Sequence, residues 1–190
     1  MSDTILIDTE TQKIKLYNDG NFKCSGYGLV DLVKYKHMPI GLEIGCDVGD
    51  TAVRLLTLVP NLVLHSIDPY TDYIDWNGND LSSRENTYNT AMNRLNVFGN
   101  SFILHRKTSD DAVCDFDDAM FDFIFIDGLH TYEQLTKDCH NYYPKLKTGG
   151  VFSGHDYTAI QGVNKAATEF ANKMEKQISL TEVDVWYWVK

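Results

Sequence analysis

The run FDFIFID at 121–127 constrains this chain more than any other feature. A strand that alternates apolar and polar residues keeps one face in water. One that is almost continuously apolar must be covered on both faces, as in a parallel sheet between layers of helices. Four further runs read as strands: IGLEIG (40–45), LVLHSID (62–68), SFILHRK (101–107) and GGVFSGHD (149–156). Helical stretches separate them. Ala52, Val53, Leu55, Leu56 and Val59 mark one apolar side, with Asp50 a candidate cap and Pro60–Asn61 a stop. Residues 86–99, 132–146 and 160–174 read as further helices, the first ended by Gly99. This alternation predicts an α/β fold, a Rossmann-like doubly wound sheet that is mostly parallel.

The closing pieces QISLTEV and VDVWYWVK lie too close together for a helical crossover. They should pair antiparallel, or one should insert between other strands, which gives an antiparallel C-terminal strand. Ahead of residue 40, residues 4–7 and 13–17 suggest a short hairpin. GYGLVDLVKYKHM (26–38) suggests a helix through Leu29, Leu32 and Val33. The chain therefore divides into an N-terminal appendage, 1–39, and an α/β domain, 40–190. Gly78, among Asn77, Asn79 and Asp80, marks a turn in the polar segment 69–85.

The formal net charge of -10 argues against a nonspecific grip on nucleic acid, which needs clustered Lys and Arg. No apolar run reaches the ~18 residues of a membrane span. The N-terminal segment does not read as a secretory signal, so a cytoplasmic protein is expected. Cys24, Cys46, Cys114 and Cys139 form no CxxC pair. They are read as free thiols rather than zinc ligands, with Cys46 a buried structural residue in preference to a nucleophile.

In open α/β sheets, ligands bind beyond the carboxyl ends of the strands, where strand order reverses. The unusual residues of this sequence cluster at those ends. Glu43, Gly45, Asp47 and Gly49 follow the first strand, and Asp68 the second. Thr108, Ser109 and Asp110 follow the third. Asp127, Gly128 and His130 follow the fourth, and His155, Asp156 and Tyr157 the fifth. Asp68 ends its strand about twenty residues after the glycine turn, where a carboxylate can accept both hydroxyls of a ribose. The GxGxxG phosphate cradle is missing. Asp47 and Asp50 put negative charge at the turn, which repels a pyrophosphate and attracts a sulfonium or amino group. That tilts the choice from NAD to S-adenosylmethionine.

LEIGCDVGDTAVRLL, HSIDPY and, above all, FDFIFIDGLHTYEQLTKDCHNYYPKLKTGGVFSGHDY resemble the class I S-adenosylmethionine-dependent methyltransferases. The resemblance is nearest to the group similar to macrolide-sugar O-methyltransferases and cephalosporin-hydroxylase-like proteins, and it spans residues 40–157. It implies that Glu43, Gly45 and Gly49 border the methionine half of the cofactor. Asp68 then holds the ribose, and Ser109 with Asp110 faces the adenine. It also implies a divalent metal, magnesium or another, on Asp127 and Asp156, with His155 where relatives carry an acidic residue, and His130 as general base. The expected reaction is O-methylation of a small polyhydroxylated acceptor, a sugar or glycan.

Plainer readings compete at several positions. Asp127 and Asp156 are also candidate helix caps, and His155 a candidate loop hydrogen-bonder. His37, His65, His105 and His140 read as packing or surface residues. Tyr70, Tyr73 and Trp76 suit either a lid or cover for a sheet edge, and VWYWV either sheet core or a homo-oligomer contact. The competing function is a catalytically inactive methyltransferase-like module that binds a nucleoside or serves an assembly.

Overall fold

The computed structural model describes residues 4–8, 13–17, 25–34, 39–75 and 77–190. The elements in chain order are β1 (Thr4–Asp8), β2 (Lys13–Tyr17), α1 (Ser25–Val33), β3 (Ile40–Ile44), α2 (Asp50–Leu58), β4 (Val63–Ile67), β5 (Tyr73–Ile74), β6 (Asp80–Leu81) and α3 (Arg84–Leu95). There follow β7 (Phe102–His105), α4 (Ser109–Ala112), β8 (Phe121–Ile126), α5 (Tyr132–Tyr142), β9 (Leu146–Gly154), α6 (Gln161–Lys173), β10 (Ser179–Leu180) and β11 (Trp186–Val189).

Seven strands form one sheet in the order β10-β11-β9-β8-β3-β4-β7, and β1-β2 and β5-β6 form two small antiparallel pairs. The five strands from β9 to β7 run parallel. β11 is antiparallel to both of its neighbours and inserts between β9 and β10, so both closing-strand expectations hold together. The chain winds outward from β3 through β4 to β7, then returns to the other side of β3 as β8. Strand order therefore reverses between β3 and β8, and the crevice at their carboxyl ends is the place for a ligand.

Each face of the sheet has its own apolar layer. One gathers Leu42, Ile44, Ile124, Ile126 and Phe152 with Leu135 and Cys139 of α5, Val163 and Phe170 of α6, and Trp186 and Trp188. The other joins Leu64, Phe123, Phe125 and Val151 to α1 through Leu29, Val30 and Val33, to α2 through Ala52, Val53 and Leu55, and to α3 through Ala91 and Leu95. Phe121, Phe123, Ile124 and Phe125 of β8 are all fully buried; from Phe123 to Ile126 successive residues serve opposite layers, and an irregularity in register after Phe121 puts that ring in the layer of Ile124. That is what the continuous apolar run required. The aromatic VWYWV places Trp186 and Trp188 in this core, stacked 5.5 Å apart.

Several boundaries differ from the sequence reading. α1 ends at Val33, and residues 35–38 of the expected helix lie outside those described. α3 begins at Arg84 and stops at Leu95, and a 3-10 segment with Gly99 at φ 53 carries the chain to Ser101. β9 starts at Leu146 rather than 149. Asp50 does not cap α2: Gly49 is the N-cap residue, and the Asp50 carboxylate takes Arg94 at 2.5 Å instead. Gly78, at φ +83, turns the β5-β6 hairpin. Trp76 lies outside the described residues. No helix among those described is long and apolar enough to cross a membrane.

Candidate active site

The turn after β3 is set by glycine. Gly45 has φ +93, and a Cβ there would stand 2.1 Å from the carbonyl oxygen of Asp127. Any side chain would push β3 away from β8 at the crevice. Gly49 has φ +81 and packs against Leu95, where a Cβ would come within 2.7 Å.

The turn is then clamped by Asp68 at the end of β4. Asp68 Oδ2 accepts the amides of Cys46 (3.1 Å) and Asp47 (2.9 Å), and Oδ1 accepts the amide of Tyr70 (2.9 Å). The Tyr70 hydroxyl donates to the Asp47 carbonyl at 2.8 Å. Arg84, at the start of α3, donates to Asp47 at 2.7 Å and reaches Asp68 at 3.7 Å. Its guanidinium lies over the rings of Tyr70 and Tyr73. Tyr70 is thus buried structure, whereas Tyr73 is exposed on the small hairpin.

Glu43 is buried on β3, and its Oε2 accepts the Ser66 hydroxyl at 2.6 Å. Burial pushes its pKa up to about 8 against that hydrogen bond, and the charges of Asp127 and Asp68 add to the rise. Glu43 is therefore a neutral acid near pH 7. Burial also raises the Cys46 thiol, which removes it as a nucleophile. Cys114 and Cys139 are free thiols as well.

A second group forms where β8 and β9 end. His130 Nε2 lies 3.1 Å from Asp127 Oδ1 and 3.1 Å from Asp156 Oδ2. His155 Nδ1 lies 3.1 Å from Asp156 Oδ1 and 3.8 Å from Asp127, while its Nε2 faces the Val183 carbonyl at 3.2 Å. Burial works against charge on His130, but the hydrogen bonds and charges of Asp127 and Asp156 outweigh it and lift its pKa to about 9. Asp156 is held below the usual carboxylate range by hydrogen bonds from His130 and His155. Neither carboxylate caps a helix. Thr131 caps α5 through its side chain, and Ile160 is the N-cap residue of α6. Asp127, His130 and Asp156 each present a ligand atom, all within 4.8 Å of one another. His155 stands beside this trio.

At the third corner, Thr108 caps α4, which begins with Ser109 and Asp110. α5 brings Gln134 and the buried Asp138 against them. Burial pushes Asp138 up to about 6, opposed by hydrogen bonds from Ser109 and Gln134.

One cavity of about 870 Å³ joins these corners. It is lined by Glu43, Gly45, Asp68, Ser109, Asp110, Asp127 and His130 of the sequence-selected residues, and by Arg54, Arg84, Gln134 and Asp138, which sequence reading did not select. Gly49, His155 and Asp156 do not line it. Gly49 lies behind the turn, and the two others reach the site through His130 and Asp127. Gln134 and Asp138 share a helical face, a pattern present in the sequence. Nothing local in the sequence marks Arg84 as a partner of residues 47 and 68.

The model of a methyltransferase domain matches residues 42–157. No curated protein matches the chain in sequence. Among solved structures, an O-methyltransferase of tomaymycin synthesis from Streptomyces achromogenes, determined with S-adenosylmethionine, is 14% identical with a TM-score of 0.61, covering 87% of this chain and 79% of its own. An O-methyltransferase from Bacillus cereus in complex with S-adenosylhomocysteine is 15% identical with a TM-score of 0.61, covering 91% and 84%. Precorrin 8W decarboxylase from Methanobacterium thermoautotrophicum is 14% identical with a TM-score of 0.64, covering 87% and 88%. Likeness at these identities establishes the fold. With more than half of its length matched by the family model, the chain belongs to the methyltransferase-domain family.

Proposed function

We propose that the cavity binds S-adenosylmethionine and that the chain transfers its methyl group to a hydroxyl oxygen of a small polyhydroxylated, sugar-like acceptor. The observation that carries this reading is the acid lining at the strand-order reversal: Asp47, Asp68 and Asp127 border the cavity, joined by Glu43, which a nearby cation would draw into its charged form. Such a wall repels a pyrophosphate and favours a sulfonium and an α-ammonium group. Glu43 and Gly45, with Gly49 shaping the turn, are assigned to the methionine half, Asp68 to the ribose, and Ser109 with Asp110 to the adenine. A carboxylate offers about four acceptor positions. Three on Asp68 serve backbone amides, which leaves room for a ribose hydroxyl.

Methyl transfer needs the acceptor oxygen held in line with the sulfonium methyl and relieved of its proton. His130 is assigned as the base. It must first lose the proton it shares with Asp127 and Asp156, so methylation should rise with pH toward about 9 in the metal-free protein. Asp127 and Asp156 fit a divalent cation: their carboxylates already converge on one positive group, and the nitrogen donor assigned beside them is His155, whose Nδ1 lies 3.1 Å from Asp156 Oδ1. Such an ion, when bound, polarises the acceptor hydroxyl.

Calorimetric titration with S-adenosylhomocysteine, with and without magnesium, tests the cofactor assignment. Methyl transfer to a panel of hydroxylated acceptors tests the reaction. Tight binding followed by transfer supports the proposal. Binding without turnover on any acceptor favours the inactive nucleoside-binding module. No binding by folded protein removes the cofactor assignment.

A further inference from the structure

The turn between β10 and β11 grips the segment that carries His155 and Asp156. His155 Nε2 lies 3.2 Å from the Val183 carbonyl. That oxygen can only accept, so Nε2 carries the hydrogen and Nδ1 is the nitrogen turned toward Asp156 and Asp127. The Trp186 indole nitrogen donates to the His155 carbonyl at 3.2 Å. Gly154 admits that ring, since a Cβ there would stand 2.4 Å from Trp186 Cζ2. On the other side of Asp156, the Thr158 amide donates to both oxygens of Asp184, at 2.9 and 3.1 Å.

Asp156, between these ties, has φ +61. A residue with a Cβ keeps that left-handed conformation where its surroundings hold it there. The ties at 155 and 158 hold it from either side, which leaves the Asp156 carboxylate between His155 and His130. The turn is itself braced. The Thr181 amide donates to the Val185 carbonyl at 2.9 Å, and Thr181 Oγ1 accepts the Val185 amide at 3.2 Å. α1 packs against its back: a Cβ on Gly28 would come within 2.6 Å of Val183 Cγ2 and 2.8 Å of Thr181 Oγ1. Val183, Asp184 and Trp186 do not line the cavity, so they reach it only through residues 155–158.

We infer that Asp184 is a positioning residue: by anchoring Thr158 it holds Asp156 in the conformation that presents its carboxylate to His130. The inference rests on the assignment of His130, Asp127 and Asp156 to methyl transfer, and it extends that assignment to the C-terminal turn.

The test compares wild type with Asp184→Ala and Asp184→Asn in proton–nitrogen correlation spectra of the histidine rings, recorded in chelator. Asp184→Ala leaves the Thr158 amide without its acceptor, so the His130 and His155 ring signals should shift. Those of His65 and His105, on β4 and β7, should stay, which separates a local release from a general loss of packing. Asp184→Asn keeps a side-chain carbonyl for the Thr158 amide and should restore the wild-type signals. In a methylation assay, Asp184→Ala should lower kcat by at least about tenfold, the scale of a misplaced catalytic group, and leave the affinity for S-adenosylhomocysteine unchanged. Should Asp184→Ala not fold, Thr181→Val takes its place, because it removes the side-chain acceptor that fixes the same turn. Unchanged His130 and His155 signals in the folded variant overturn the inference, as does an asparagine variant that matches the alanine one. Shifted rings with undiminished turnover are a different result: the anchor stands, and the assignment of His130 and Asp156 to the reaction falls.

Discussion

The Asp68 carboxylate accepts the amide of Asp47 at 2.9 Å and so ties the end of β4 to the glycine turn that follows β3. Its other oxygen is taken by the Tyr70 amide, so both oxygens serve as acceptors for the backbone. Asp68→Asn must turn an NH2 group toward at least one amide donor. The expected cost is about 1–3 kcal/mol for a buried donor left without its acceptor. Asp68→Asn should therefore melt several degrees lower and bind S-adenosylhomocysteine more weakly. Thermal unfolding and titration together check this. An unchanged melting temperature with weakened binding would leave Asp68 as a ligand contact without the clamping role.

The carboxylates of Asp127 and Asp156 stabilise His130 in its charged form. Its folded pKa, about 9, lies above its ordinary value of 6.5. A raised pKa contributes stability that is fully present below about pH 6.5 and is lost as pH rises through 9. Wild-type protein should lose stability relative to His130→Gln between pH 6.5 and 9. Melting curves of the two proteins across that window, in chelator, give the difference. In a working methylation assay, His130→Ala should lower turnover by about 10²–10⁴-fold, the scale of general base catalysis. Affinity for S-adenosylhomocysteine should change little. Normal turnover would reassign His130 to a purely structural bridge between Asp127 and Asp156.

The parts of this molecule that follow a local period were legible in the sequence. The buried run of β8, the glycine at Gly45 and the acidic residues at the strand ends each carry their physical reason within a few positions. The placement of Asp127, His130 and Asp156 in one group followed from the rule that parallel strands share a carboxyl edge. Arg84 was not legible, because its partners Asp47 and Asp68 lie on the far side of a loop and no periodicity connects them. Asp138 was hidden for a related reason. Its side chain meets Ser109 only because α5 packs across α4, and the four-residue spacing from Gln134, though visible in the sequence, does not show what that helical face meets. The hairpin of β5 and β6 escaped notice because two-residue strands are too short to show alternation.

His65 and His105 form a pair on neighbouring strands, with ring nitrogens 3.0 Å apart and rings packed on Phe116. Burial pulls His65 down to about 4, and the nearby His105 adds to the fall. A depressed pKa gives stability that is present above about pH 6.5 and is lost as pH falls toward 4. After allowance for the partial exposure of the ring, the loss should be on the order of 1–2 kcal/mol. His65→Leu, which keeps the apolar contacts and removes the charge, should flatten this part of the profile. Chemical denaturation at pH 4.5 and pH 7 measures it. Equal acid sensitivity in the variant would place the acid-labile group elsewhere.

If Glu43 borders the methionine half of the cofactor, it should distinguish a sulfonium from an uncharged sulfur. Held neutral by burial up to about pH 8, it is stable in that form beside the Ser66 hydroxyl. Because its folded pKa is raised, its contribution to stability is full below about pH 4.5 and declines as pH rises through 8. Glu43→Gln keeps the shape and an oxygen acceptor but cannot ionise, so it should be more stable than wild type at pH 9. A sulfonium or ammonium group nearby would draw the wild-type carboxyl into its charged form, releasing a proton on binding. The variant cannot respond in this way. It should lose affinity for S-adenosylmethionine more than for S-adenosylhomocysteine, whose sulfur is uncharged. Titrations of both ligands in two buffers of different ionisation enthalpy count the protons released. Equal losses for the two ligands would place the sulfonium away from Glu43, and an absence of proton release in the wild type would show that the carboxyl stays neutral beneath the bound ligand.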